Sequence, residues 1–268
     1  MKRTAKRGAG GVERTAKLSA ASTKGASAAI DIKRDAACVT ATISAPDGNR
    51  LSAAMAATLI ELAQEVEDDE SIKVLVVSGA GGAFCSGFDQ DVDPHLVETL
   101  AALAKPTVAL IGGDALDEGL ELAMGLDIRA ATAAARFGLR QLSRGAMPRF
   151  GGTQRLPRLI GGGEALRLIL TGEVIDGRRA LELGLITYIA ATPQEFSSLA
   201  AQIIASITSR APLAARLVKE AVVKGFDMTL GQGIRLEEDL YALLQTTADR
   251  AEGVRSFLEK RKPLFKGI

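Results

Sequence analysis

The sequence contains few of the residues that build disulfide frameworks, metal sites and histidine chemistry. Its 268 residues include two cysteines, one histidine and no tryptophan, and aromatic residues make up 4% of the chain. Cys38 and Cys85 are too few for a disulfide framework, and no CxxC motif or Cys/His cluster with zinc spacing occurs. The sequence therefore favours a reducing compartment and excludes a structural zinc site. A Ser-His-Asp triad could use only His95.

The sequence also lacks an excess of either sign of charge and lacks long apolar runs. The 33 basic and 32 acidic residues give a net charge of +1, so no global field attracts nucleic acid. No run of 18 apolar residues occurs, and we expect no membrane span. With 47% hydrophobic and 24% charged residues, the chain can bury a full core, which predicts one globular unit.

Basic residues are concentrated at the N-terminus. Residues 1–30 carry seven basic residues and one acidic residue, a local charge of +6 that leaves −5 for the rest. Residues 1–27 are rich in Ala, Ser, Gly and Thr and lack the apolar region of a signal peptide. We expect a disordered leader outside the fold and a cytoplasmic protein. The composition also resembles an organelle transit peptide, in which case the location is an organelle matrix.

Residues 28–195 combine strand and helix patterns. Apolar alternation on either side of the polar residues 33–35 predicts a hairpin, and Ser52 precedes an amphipathic helix over 52–67. Two buried strands, at 73–78 and 107–111, each run into a Gly-rich turn. Such alternation indicates an α/β fold with its ligand site at the strand ends. We assign these residues to the core.

The last part of the chain has the pattern of helices. Periodic apolar positions predict helices at 195–208, 211–225 and 230–246, with no obvious linker before them. We assign residues 196–268 to a helical C-terminal region.

Several familiar catalytic motifs are not satisfied. Phe84 occupies the third glycine position of the first Gly-rich turn, and no Walker lysine follows Gly87. Ser86 lacks the flanking glycine of a nucleophile elbow, which favours a turn residue. His95 lies in a polar stretch and is expected to face solvent.

A set of separated motifs resembles the crotonase (enoyl-CoA hydratase/isomerase) family. The resemblance covers residues 28–268, and the motifs fall in the family's order. They are GAFCSGFD at 82–89, KPTVA at 105–109, GLELAMGLDIR at 119–129, ARFG at 135–138, PRFGGTQRL at 148–156, LTG at 170–172, GLI at 184–186 and EKRKP at 259–263.

The resemblance implies an α/β spiral of ββα units followed by a helical C-terminal oligomerisation region. It further implies a homotrimer or hexamer and an acyl-CoA thioester ligand of the kind met in fatty acid metabolism. No separate cofactor is expected, because coenzyme A is part of the substrate.

The resemblance also implies a backbone oxyanion hole for the thioester enolate. By the family pattern its two N–H groups belong to Phe88 and Glu118, with Asp89 and Gln90 lining the thioester and pantetheine region. Each such donor contributes roughly 2.7–4 kcal/mol to the stability of the transition state.

The turn before Glu121 departs from the family pattern. Asp117 and Glu118 stand where the family usually has consecutive glycines. A positive φ at Glu118 would be strained, and its carboxylate would oppose a developing negative charge unless it points away or is protonated. Alternatively, Asp117 or Glu118 caps the helix, because Glu118 and Glu121 have capping-box spacing.

The acid/base pair departs as well. Glu121 matches one of the two glutamates that the family's hydratases use, but the second position is Gln141, whose amide cannot exchange a proton at ordinary pH. Three alternatives follow: Glu121 carries out the proton transfers alone, Glu118 provides the second acid, or the protein does not hydrate its substrate.

Only fourteen residues separate Gln90 from Lys105, which predicts a short lid over the acyl group. We expect a hydratase or isomerase; the alternative is a catalytically impaired acyl-CoA-binding pseudoenzyme.

Overall fold

Two sheets of mainly parallel strands organise the described chain. The computed structural model describes residues 28–268, so the predicted leader at 1–27 lies outside the described residues. The strands are β1 (Ala29–Asp35), β2 (Cys38–Ser44), β3 (Val74–Gly79), β4 (Ala83–Cys85), β5 (Thr107–Ile111), β6 (Asp114–Leu116), β7 (Ile128–Thr132), β8 (Arg136–Gly138), β9 (Ile175–Asp176) and β10 (Tyr188–Ala190). The larger sheet has six strands in the order β1-β2-β3-β5-β7-β10, and the smaller has four in the order β4-β6-β8-β9.

Eleven helices and one 3₁₀ turn accompany the strands in residues 28–268. They are α1 (Pro46–Asn49), α2 (Ala53–Asp68), α3 (Leu96–Ala102), α4 (Glu118–Met124), the 3₁₀ turn Gln141–Arg144, α5 (Gly152–Ile160), α6 (Gly162–Thr171), α7 (Gly177–Glu182), α8 (Pro193–Thr208), α9 (Pro212–Gly225), α10 (Leu230–Gln245) and α11 (Ala248–Leu258).

The predicted hairpin and its neighbouring helix form as expected. β1 and β2 pair antiparallel, with Asp35 opposite Cys38, and β2 then pairs parallel with β3. The Ser52 hydroxyl accepts a hydrogen bond from the N–H of Met55 and caps α2. Leu59, Leu62 and Val66 lie on the buried face of that helix, so helical spacing and burial agree.

The chain winds as a spiral because each unit uses both sheets. A strand of the larger sheet leads into a three-residue strand of the smaller sheet and then into a helix, as in β3-β4-α3 and β5-β6-α4. Successive units pair parallel in both sheets. The ββα spiral is confirmed, and the ends of β4 and β6 lie next to each other.

Helix α8 covers the second face of the larger sheet. Phe196, Leu199 and Ile203 pack with Val74, Val76 and Val108 in a small apolar cluster separate from the main core. The remaining C-terminal helices are predominantly exposed, and α10 has no buried residue. The three predicted C-terminal helices are present, followed by α11, which the sequence pattern did not predict.

Residues 91–104 contain a single helix, α3, and their role as a short lid stays a prediction. In the described part of the chain, no helix is long and apolar enough to span a bilayer. Across residues 28–268, no group of three or more His, Cys, Asp or Glu side chains is arranged to hold a metal ion.

Candidate active site

Glu121 lies in the first turn of α4 and is fully buried. The helix begins directly after β6. The Glu121 carboxylate contacts the loop that precedes α5. Oε1 accepts hydrogen bonds from the backbone N–H groups of Phe150 and Gly152, each at 2.8 Å. Two backbone donors therefore fix one carboxylate oxygen, while Oε2 faces Gln141.

Burial raises the pKa of Glu121 to about 7, because desolvation disfavours the charged carboxylate. The N–H groups of Gly152 and Phe150 oppose this by stabilising the anion, and the nearby Glu118 carboxylate adds to the increase. A carboxyl group with a pKa near neutral pH can both accept and return a proton.

Gln141 is brought next to Glu121, although 20 residues separate them. Its Nε2 donates a hydrogen bond to Glu121 Oε2 at 3.2 Å, and its side chain is 1% exposed. Gln141 Oε1 has no hydrogen-bond partner among residues 28–268. A buried amide oxygen without a partner is costly, and it is suited to accept a hydrogen bond from a small polar molecule.

The turn before α4 is held in a conformation that favours glycine. Asp117, not Glu118, carries the positive φ, with φ 52° and ψ −122°. Its buried carboxylate accepts hydrogen bonds from the N–H and guanidinium of Arg140, each at 2.7 Å, and from Arg144 at 3.2 Å. Burial alone would raise the pKa of Asp117, but the Arg140 bonds hold it below its ordinary value. These contacts compensate for the local strain.

The side-chain capping alternative for this helix is therefore wrong. Asp117 is the N-cap residue, yet its carboxylate makes no capping bond to α4 and contacts the arginines. Glu118 also turns away from the helix. Its Oε2 accepts a hydrogen bond from the N–H of Phe88 at 3.3 Å.

The Glu118 carboxylate thus lies at one of the two predicted oxyanion donors. Gly87, with φ 145°, makes room for it, since a Cβ there would lie 2.9 Å from Glu118 Oε2 and 2.9 Å from an Arg50 nitrogen. The N–H of Glu118, at the first position of α4, has no intrahelical partner.

Asp89 and Gln90 follow Phe88 at the rim of this site. Asp89 forms an ion pair with Arg50 at 3.0 Å, with both side chains nearly half exposed, and Arg50 also donates to the Phe88 carbonyl. The Gln90 carbonyl accepts a hydrogen bond from Arg149 at 3.2 Å.

Several residues of the site were missed by the sequence analysis. Phe150 and Gly152 act through backbone N–H groups, which leave no side-chain signal. Arg50 lies 39 positions before the aspartate that it binds. The spacing of Arg140 and Arg144 offered a signal, because an (i, i+4) arginine pair after ARFG can converge on one acid.

Comparison with known proteins identifies relatives over most of the chain. A family model described as Enoyl-CoA hydratase/isomerase matches residues 33–268. The chain is 36% identical over 242 residues to (E)-benzylidenesuccinyl-CoA hydratase from Thauera aromatica, covering 84% of this chain and 94% of that protein. It is 34% identical over 238 residues to mitochondrial methylglutaconyl-CoA hydratase from Mus musculus, covering 82% and 76%.

A solved structure has a similar fold. The crystal structure of enoyl-CoA hydratase from Bacillus anthracis gives a TM-score of 0.86 at 33% sequence identity, covering 89% of this chain and 99% of that chain. The similarity in sequence and in three dimensions therefore extends over the core and the C-terminal helices.

Proposed function

Because the chain belongs to the enoyl-CoA hydratase/isomerase family, we propose that it adds water across the double bond of a 2-enoyl-CoA thioester. The observation that carries the proposal is the buried pair of Glu121 and Gln141, which joins a titratable carboxylate to an amide oxygen without a partner. The substrate brings coenzyme A with it, and the proposal requires no separate cofactor.

In the proposed reaction the Glu121 carboxylate takes a proton from water as the water oxygen bonds to the β-carbon. The electron pair of the double bond moves toward the thioester and gives an enolate. Glu121 then returns a proton to the α-carbon, so one carboxyl group serves as base and then as acid. Its pKa of about 7 suits both steps near neutral pH.

Gln141 has an orienting role in this proposal. Its Nε2 holds Glu121 Oε2, and its Oε1 accepts the hydrogen of the water that does not transfer. An amide cannot carry the proton itself, which leaves proton transfer to Glu121.

The N–H groups of Phe88 and Glu118 are the proposed donors to the enolate oxygen. The Glu118 N–H lies at the start of α4, where the helix dipole favours negative charge. The Glu118 carboxylate must leave the Phe88 N–H when the thioester oxygen arrives. Asp89 and Gln90, which follow Phe88, are proposed to line the thioester and pantetheine region.

One observation favours a second function, that of a catalytically impaired acyl-CoA binder. If the Glu118 carboxylate keeps its hydrogen bond to the Phe88 N–H, it competes with the thioester oxygen and repels the enolate. Such a protein would retain thioester binding through other contacts and lose turnover.

Turnover of two acyl-CoA substrates by the full-length protein separates these functions. Hydration of crotonyl-CoA supports the hydratase, and conversion of a 3-enoyl-CoA without hydration supports an isomerase. Binding of butyryl-CoA in calorimetry without either reaction supports the binder. No binding at millimolar acyl-CoA contradicts all three.

The names of the two relatives suggest one further substrate for this assay. Benzylidenesuccinyl-CoA and methylglutaconyl-CoA are both thioesters of dicarboxylic acids. An acyl-CoA with a second carboxyl group should therefore be assayed beside crotonyl-CoA. Faster hydration of that thioester would indicate that the substrates are dicarboxylic acyl-CoA thioesters.

A further inference from the structure

A cavity of about 680 Å³ lies beside the loop that holds Glu121. It is formed between α3, α5 and α9, and its wall includes Phe150 and Gly151. The N–H of Phe150 donates to Glu121, so one wall residue of the cavity contacts the candidate catalytic carboxylate. On the proposed function, on which this inference rests, an acyl chain leaving Glu121 toward α9 would enter this cavity.

The cavity has both apolar and cationic walls. Leu159, Val222 and Phe226 provide apolar surface, whereas Arg149, Arg155 and Arg158 provide guanidinium groups. Two carboxylates, Glu98 and Asp227, also line the cavity, so the arginines exceed the acids by one. A plain hydrocarbon chain needs only the apolar part. The three arginines therefore require a separate explanation.

Arg158 already has partners inside the protein. Its guanidinium lies 3.6 Å from the Asp227 carboxylate and donates to the Gln154 carbonyl at 3.0 Å. Arg158 thus forms part of the wall with its charge compensated.

Arg149 is held in place without a carboxylate. Its guanidinium lies 4.8 Å from the centre of the Phe150 ring and donates to the Gln90 carbonyl at 3.2 Å. Among residues 28–268, no Asp or Glu oxygen lies within 4.0 Å of it. The ring and the carbonyl orient the guanidinium and leave its charge available.

Arg155 is half-buried and also lacks a carboxylate within 4.0 Å in the described chain. One nitrogen donates to the Phe150 carbonyl at 2.8 Å. Burial lowers the pKa of this guanidinium, and the more distant Glu98 and Glu121 only partly oppose the shift. Glu98 is largely exposed and lies 3.7 Å from His95. The cavity thus contains a desolvated cation with incomplete compensation.

We propose that this cavity selects acyl-CoA substrates whose acyl chain ends in a carboxylate, with Arg149 and Arg155 binding that carboxylate. The aliphatic part of the chain would contact the apolar wall, and the terminal carboxylate would receive charge-assisted hydrogen bonds. Arg149 and Arg155 are specificity residues in this proposal and take no part in proton transfer.

The test compares two thioesters that differ only at the chain end. Full-length protein is assayed with a six-carbon 2-enoyl-CoA ending in a methyl group and with the same chain ending in a carboxylate. We expect kcat/KM to be roughly 10-fold or more higher for the carboxylate, mainly through a lower KM. Calorimetry with hexanoyl-CoA and adipyl-CoA measures the same preference without turnover.

Arg149→Gln should reduce the preference by roughly 10-fold, and Arg149→Lys should retain part of it, since lysine keeps the charge without the planar fork. Arg34→Gln is the matched control, because it removes the same net charge from a surface pair with Glu65. It should leave the preference unchanged.

Equal affinity for hexanoyl-CoA and adipyl-CoA, or a preference that survives Arg149→Gln intact, would overturn the inference and leave the proposed hydration standing. A preference in calorimetry without any turnover would support the inference while the hydratase function fails. If neither thioester binds, both are wrong.

Discussion

At the scale of single residues, the protonation of Glu121 follows from two opposing effects. Burial removes water from the carboxylate, whereas two backbone N–H groups stabilise its charge, and desolvation is the larger effect. Because the result is a pKa of about 7, small changes in pH change the fraction of protein that can act as a base.

The activity should therefore depend on pH through Glu121. On the proposed function the carboxylate must be unprotonated to accept a proton from water. We expect kcat/KM for crotonyl-CoA to rise about tenfold per pH unit below about 7 and to level off above it. Steady-state rates from pH 5 to 9 measure this, and a profile flat from pH 5 to 8 would contradict the role of Glu121.

The stability should depend on pH with the opposite sign. Because the folded-state pKa of about 7 exceeds the ordinary value of 4.5, this group's contribution is complete below pH 4.5 and is lost as the pH rises through 7. Glu121→Gln removes that loss. The stability of the variant relative to wild type should therefore increase by on the order of 3 kcal/mol between pH 4.5 and pH 8.

Denaturant titrations at both pH values measure this difference. Exposed Glu61, on α2, provides a matched control, since Glu61→Gln should leave the pH dependence as it is in wild type. If the stability of wild type and of Glu121→Gln changes equally between the two pH values, the raised pKa of Glu121 is contradicted.

Replacing Gln141 by glutamate should restore the pair of acids that the resemblance implies. A second carboxylate near Glu121 can share the proton transfers, so we expect Gln141→Glu to hydrate crotonyl-CoA faster than wild type. The two like charges should also move the rising part of the pH–rate profile upward. An unchanged rate and profile would indicate that position 141 does not contact the reacting water.

The single-residue features differed in how far the sequence could predict them. The family resemblance implied roles for Glu121, Gln141, Phe88 and Glu118, and the structure brings them into two contacting pairs. The direction of the Glu118 side chain was not predictable, because it depends on space left by Gly87 in another loop.

At the scale of secondary-structure elements, the turn before α4 is stabilised by arginines from another segment. Arg140→Ala leaves the buried Asp117 carboxylate with fewer partners, so the protein should lose about 1–3 kcal/mol of stability. Arg136→Ala, in an exposed pair with Asp114, should cost less than about 1 kcal/mol. Chemical denaturation measures both, and equal losses would contradict the positioning role of Arg140.

Long periodic elements were predictable and short ones were not. The pattern of apolar residues and Ser52 identified α2, and the C-terminal helices α8 to α10 lie within two residues of their predicted ends. The strands β4, β6 and β8 have three residues each, too few for a period. Helix α11 was missed because it is polar and contains Gly253.

At the scale of the whole molecule, α9 and α10 carry a large exposed apolar surface. Val218, Leu230, Ile234 and Tyr241 are each roughly half or more exposed. A monomer in water gains nothing from such a surface, which is typical of an interface. We therefore propose that copies of this chain assemble through it into a trimer or hexamer.

Light scattering should report three or six copies for the wild-type protein. Ile234→Asp combined with Tyr241→Asp should shift the population toward monomer, because charges would be buried at the interface. The same pair replaced by Leu and Phe is the matched control. A wild-type monomer would contradict the assembly.

The chain's overall course was predictable from the family resemblance, whereas the packing of α8 on the larger sheet was not. Periodicity alone could not distinguish a helix that completes the core from one that contacts a second copy. The prediction that residues 1–27 form a leader lies outside the described residues.

Hydration of crotonyl-CoA by wild type and by Glu121→Gln tests the central claim most directly. We expect the variant to lose roughly 10²–10⁴-fold in kcat while its affinity for butyryl-CoA, measured by calorimetry, changes little. A wild-type protein that hydrates crotonyl-CoA and keeps its full rate in Glu121→Gln would contradict the assignment of proton transfer to Glu121.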